Sequence, residues 1–149
     1  IVTGVQTCAL PISIPYRIQR IKSHQFAMFP EQFDNNGKVD INVTFNFSFS
    51  KDYSVATCTS KYTFKQLDGL LLILELSTLF QIHEDGVSEI KEQGKVSVDF
   101  LRYMGTIAVG AARGFIAAKT EDCVLNAIVL PPINLMEIIK DDFRYDTVE

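Results

Sequence analysis

The chain contains no tryptophan, and only two histidines, three cysteines and five prolines among its 149 residues. His24 and His83 lie far from each other and from the cysteines in sequence, so no metal-ligand spacing is present. Cys8, Cys58 and Cys123 are too few and too widely spaced for a disulfide framework. Cys58 and Cys123 are expected to be small buried apolar residues in a reducing compartment. No apolar run reaches the roughly 18–20 residues that a membrane span needs, because Glu75 interrupts 70–80 and Arg113 interrupts 105–118. There is no GxxxxGK(S/T) loop to cradle a nucleoside triphosphate, and no GxGxxG after a strand pattern. No nucleophile with an adjacent base stands out. Glu137, Asp141 and Asp142 read as the solvated face of a terminal helix. Hence no catalytic residue, metal or cofactor is expected.

Hydrophobic residues make up 47% of the chain, ample for one domain core, and the net charge is −4. A mildly acidic chain has no general attraction for phosphate, and its basic residues are scattered along the sequence, so a nucleic-acid partner is not expected. Phenylalanine is abundant at 11, with many in strand-like segments of the first half. The opening string Val2 to Ile12, VTGVQTCALPI, looks like a translated sequencing adapter. Residues 1–13 are therefore set aside as a scar, and 14–149 are read as one domain. A signal peptide is the competing reading, weakened because no Lys or Arg precedes the apolar stretch.

Periodicity gives the elements. Apolar residues at Ile14, Tyr16, Ile18 and Ile21 suggest a first strand ending near Met28. The stretch 29–37 is a loop broken by Pro30 and Asp34-Asn35-Asn36-Gly37. Val39, Ile41, Val43, Phe45, Phe47 and Phe49 alternate with polar residues, which marks a strand half buried on one face. Residues 54–64 alternate likewise, and Leu67-Asp68-Gly69 reads as a turn. The segment 70–82 is apolar on both faces at first, as a central strand would be. Short connections point to an antiparallel meander of four strands. Residues 84–94 read as charged and turn-like. A helix then starts near Ser97 or Val98 and ends near Ala118, with Phe100, Tyr103, Met104, Ile107, Ala108, Ala111 and Phe115 on one face. Its other face is small: Gly105, Val109, Gly110, Ala112 and Gly114. Glycine costs a helix interior about 0.5–1 kcal/mol relative to alanine, so close approach of another element is expected there. Leu130-Pro131-Pro132-Ile133 cannot be helical. Asn134 then caps a shorter helix running from Leu135 to about Phe143, with Leu135, Ile138 and Ile139 on one face. The tail 146–149 is expected to fray. The fold class is α+β: four antiparallel strands, a long helix and a short one.

The block Ala112-Arg113-Gly114, Ala118-Lys119-Thr120-Glu121, Asn126 and Leu130-Pro131-Pro132-Ile133-Asn134 resembles the SecB-like chaperone family. Tyr16 to Ile21 and Leu79 to Ile82 resemble the family's first strand and the end of its fourth. The likeness spans about Ile14 to Phe143 and is nearest to the solitary or toxin–antitoxin-linked branch. It implies a cytoplasmic, ATP-independent holdase that binds unfolded or pre-secretory polypeptides in apolar grooves. It also implies a homotetramer, a dimer of dimers, with Gly105, Val109, Gly110, Ala112 and Gly114 at the subunit interface. A tightly packed monomer core is the plainer reading of those five. By the same resemblance the grooves are lined by Phe29, Phe33, Ile41, Val43, Leu72, Leu74, Leu135 and Ile138. For the strand residues an ordinary core position is the competing reading, and for the loop pair a staple to the sheet. Export-type members offer acidic residues on the sheet face to the motor ATPase. The corresponding places here carry Gln25, Phe29 and Ile73, which favours a dedicated partner such as an antitoxin over the export motor.

Overall fold

The structure, a computed structural model, describes residues 14–67 and 69–144. The adapter-like residues 1–13, Asp68 of the expected turn and the tail expected to fray lie outside the described residues. Four strands, β1 (Tyr16–Met28), β2 (Asp40–Phe49), β3 (Val55–Gln66) and β4 (Gly69–Ile82), form one antiparallel sheet in the order β1-β4-β3-β2. The expected four-strand meander is thus corrected: only β2, β3 and β4 follow one another across the sheet. β4 pairs on both sides, the position its two-sided apolar sequence demands, and β1 closes over its far edge.

That order makes the 29–39 connection cross from one edge of the sheet to the other, roughly 14 Å at ~4.8 Å per strand. Backbone groups in such a crossing need partners. Phe29 N–H donates to Leu71 O at 2.8 Å. The Gln66 side chain, buried at the end of β3, donates to the carbonyls of Asp34 (2.7 Å) and Gly37 (3.0 Å) and accepts from Asp34 N–H (2.8 Å). The tight β2–β3 turn is held by Asp52, which accepts from the hydroxyls of Ser54 and Ser50 and from Ser54 N–H. Those bonds, the Ser54 hydroxyl first, hold its carboxyl down at about 2.

Residues expected to be turn-like after β4 instead form a helix, α1 (Glu84–Gln93). His83 Nδ1 accepts from Asp85 N–H at its start, and Gly94 ends it at φ 69°. A Cβ at Gly86 would fall within 2.9 Å of Ile14 and Ile82 side-chain atoms, so this charged helix sits unusually close to the sheet end. After β5 (Lys95–Val96) comes the long helix α2 (Val98–Lys119), capped by Ser97 Oγ, which accepts from Phe100 N–H. The last helix, α3 (Leu135–Ile138), is one turn long, not the longer helix expected. Arg102 Nε donates to Ile139 O at 2.9 Å and draws the chain out of the helical path. The chain returns as β6 (Phe143–Arg144), paired with β5.

α2 packs on one face of the sheet, against β3 and β4. Its buried residues are Phe100, Leu101, Met104, Gly105, Ala108, Val109, Ala112 and Ile116. The helix is rotated from the expected stripe: Tyr103, Ile107, Ala111 and Phe115 flank the contact half-buried, and Val109 and Ala112 point inward.

Candidate functional site

β2 is an edge strand, and its apolar row is only half covered. Ile41, Val43, Phe45, Phe47 and Phe49 are each half-buried, and their cross-strand partners Phe64, Tyr62, Ser60, Cys58 and Ala56 on β3 are wholly buried. α2 covers the centre of the sheet, and the segment after it runs beside β2 without closing on it. Between them lies an open groove of about 340 Å³ lined by Phe45, Phe47, Leu101, Ile138, Ile139 and Phe143, with polar atoms from Asn46 and residues 140–142 at its rim. Ile138, on the α3 side of the groove, is 43% exposed, and Met136 elsewhere on α3 is 68% exposed. At one end Phe143 packs on Phe49 at 4.6 Å between ring centroids.

The groove wall is fixed by polar ties from α2. Arg113 Nε and Nη2 donate to the carbonyls of Leu130 (2.8 Å) and Pro131 (2.9 Å), oxygens that the Pro-Pro stretch leaves without helical partners. Asn126 Nδ2 donates to Ala117 O and Thr120 Oγ1, satisfying the end of α2. Asn134 Oδ1 accepts from Met136 N–H, the cap expected from sequence. Asp142 accepts from Lys95 Nζ at 3.0 Å and from Val98 N–H at 2.7 Å, and these bonds, Lys95 first, lower its carboxyl below the ordinary range.

The expected site residues fall into three groups. Ile41, Val43 and Leu135 are half-buried against one core cluster, while Ile138 lines the groove with Phe45 and Phe47. Phe29 and Phe33 sit half-buried at the crossing loop, and Phe33 packs on the core beside Val39 and Ile41. Leu72 and Leu74 are a correction: both have no exposed surface, being on the central strand beneath α2, and they line nothing open. Of the five small helix residues, Val109 and Ala112 are buried against the sheet, and Gly105 faces Leu135 and Ile139 of the same chain. Those three serve packing within the chain. Gly110 and Gly114 are exposed, with open space where a Cβ would stand. Sequence reasoning missed Phe45, Phe47, Leu101, Ile139 and Phe143 as groove lining. The β2 alternation carried a signal for the first two, but which strand lies at the edge is a property of the topology.

Cys58 is buried as expected, and Cys123 is half-exposed, its Sγ accepting from Leu125 N–H. Burial pushes the Cys58 thiol and the Tyr62 phenol each up to about 12, so both stay neutral and unreactive near neutral pH. Among the described residues no three His, Cys, Asp or Glu side chains cluster as metal ligands. His24 Nε2 lies 2.7 Å from Ser77 Oγ, which is 2.8 Å from Thr59 Oγ1, a polar tie across β1, β4 and β3. What the groove itself offers is apolar area beside a free strand edge, an arrangement that suits extended polypeptide.

Eight chains of solved structures match this architecture. One is the SecB-like chaperone Rv1957 of Mycobacterium tuberculosis, in complex with a ChAD peptide from the Rv1956 HigA1 antitoxin. It superposes with a TM-score of 0.57 at 13% sequence identity, over 88% of this chain and 95% of that one. The fold is SecB-like. At that identity the likeness establishes the SecB-like architecture alone. No family model and no curated protein matches the sequence. No helix among the described residues is long and apolar enough to cross a membrane.

Proposed function

We propose that the chain is a cytoplasmic, ATP-independent holdase that binds unfolded polypeptide along β2 and α3. One observation carries this reading: a half-covered apolar row on a free strand edge, facing exposed Ile138 across an open groove. An extended client can bury apolar side chains there at about 1.5–3 kcal/mol each, and its backbone can pair with the unpaired side of β2. Specificity for sequence is not required, because the contacts are apolar and main-chain.

Assembly extends the same proposal. Ile18 and Ile21 of β1 are about half exposed, yet they lie on the helix-covered side of the sheet, opposite Phe80 and Thr78. With Gly110 and Gly114 bare on α2, this supports a homo-oligomer, a dimer of dimers, in which several grooves act on one client with added avidity. A narrower reading, one dedicated partner such as an antitoxin in place of general clients, is favoured by the peptide-bound state of the Mycobacterium tuberculosis neighbour.

The test is suppression of aggregation of a chemically unfolded protein, without nucleotide. The wild-type chain is expected to protect, and Ile138→Asp to lose most of that protection while its circular dichroism stays native. Leu74→Ala serves as contrast: it should cost about 2–5 kcal/mol of stability as a core cavity. Absence of protection at several-fold excess refutes the holdase, and capture of a single partner with no protection of varied clients selects the narrower reading.

A further inference from the structure

The strand register gathers charges that look scattered in sequence. On the sheet face away from α2 stand Arg17, Arg20, Lys22, Lys61 and Lys65, all exposed, opposed only by Asp40 and Glu75. Five of the 14 basic residues and two of the 18 acidic ones thus share one face, which carries +3, against −7 for the rest of a chain of net charge −4. The segregation is sharpest along β1. Glu75 lies directly opposite Lys61, and Asp40 opposite Lys65, so those charges are locally offset. Arg17, Arg20 and Lys22 have Gln81, Leu79 and Ser77 as their β4 neighbours, and among the described residues none of the three is in an ion pair. Arg17 Nε is tied only to Gln81 Oε1, at 2.7 Å.

We infer that this β1 stripe is a docking surface for an acidic polypeptide segment. Its length, roughly 16 Å from Arg17 to Lys22 at ~3.3 Å per residue, matches five or so residues of extended chain. Arginine and lysine in that row can take side-chain carboxylates, the arginines in bidentate fashion. The stripe suits protein better than nucleic acid. Every Phe and Tyr of the four strands (Tyr16, Phe26, Phe45, Phe47, Phe49, Tyr62, Phe64 and Phe80) points to the α2 side, so among the described residues the basic face offers a base only the His24 imidazole, which is held to Ser77 Oγ at 2.7 Å. The surface lies on the opposite side of the sheet from the proposed client groove and does not depend on it.

The experiment is fluorescence anisotropy of a labelled short poly-glutamate peptide against the full chain at low ionic strength, with a single-stranded oligonucleotide of equal charge and a poly-lysine peptide as comparisons. The glutamate peptide is expected to bind, and binding should weaken as salt rises. The combined change Arg17→Glu, Arg20→Glu, Lys22→Glu should weaken it at least about tenfold. Reversing Lys51, Lys91 and Lys119, which lie off this face, should change it by less than about twofold. If the triple glutamate variant does not fold, the triple glutamine variant is used with the same expected direction. No binding of the glutamate peptide at low salt, equal losses in both sets of variants, or tighter binding of the oligonucleotide overturns the inference. Holdase activity is measured in parallel, and its persistence in the stripe variants separates this surface from the groove.

Discussion

Three hydroxyls beneath α2, Ser60 Oγ, Tyr62 Oη and Thr78 Oγ1, have no well-formed hydrogen bond among the described residues, Ser60 and Tyr62 lying near enough for a weak contact with each other. A buried hydroxyl left unpaired costs about 1–3 kcal/mol. Tyr62→Phe removes one such atom and keeps the ring. It is expected to leave the fold unchanged and raise stability by up to about 1 kcal/mol, measured by urea denaturation. The same burial has a pH signature. Cys58 and Tyr62 have folded values near 12 against ordinary values of 9.0 and 10.0. A raised folded value means that stability is intact below the ordinary value and falls as pH rises toward the folded one. The chain should therefore lose stability between about pH 9 and 12 through these two groups, and Tyr62→Phe should blunt part of that loss.

Among the elements, the segment after α2 depends on side chains more than on its own secondary structure. Its hold on the fold passes through Arg113, Arg102 and Asp142. Asp142 has a lowered folded value, so what it contributes is full above the ordinary carboxylate range near pH 4 and is lost as pH falls through its own lower value. Asp142→Asn is expected to raise amide exchange in β5 and β6 several-fold at neutral pH, and acid should do the same to the wild type. The sequence displayed the strands well because burial on one face writes itself as alternation, as in β2 and β3. It displayed the start of α2 and the Asn134 cap because local hydrogen bonds set them. It hid α1, whose apolar contact is only Val87 and Ile90 beside the close approach at Gly86, too short a stripe to stand out among its charges. It hid the brevity of α3, because the bond that draws Ile139 out of the helix comes from Arg102, 37 residues away. The groove was little legible: of the residues named from sequence only Ile138 lines it, Ile41, Val43 and Leu135 pack half-buried on the core nearby, and Leu72 and Leu74 have the same chemistry but the wrong strand.

For the whole molecule, the question is what covers Ile18, Ile21, Gly110 and Gly114. If copies of this chain do, then alanine at both glycines should weaken assembly. The same changes should stabilise the separated protomer by about 0.5–1 kcal/mol each through helix propensity. Light scattering across a dilution series, with thermal unfolding at each concentration, reads both effects. An unchanged mass, with higher stability at every concentration, would mean that this face meets only water. The strand order also bears on synthesis. Of the four strands β1 is made before the others, but its only strand partner among the described residues, β4, follows some forty residues later. Until then a nascent stretch carrying Ile18, Ile21 and Phe26 has no place to dock, and such distant pairing is slow to form. A protein proposed to shelter unfinished chains thus begins its own life as one.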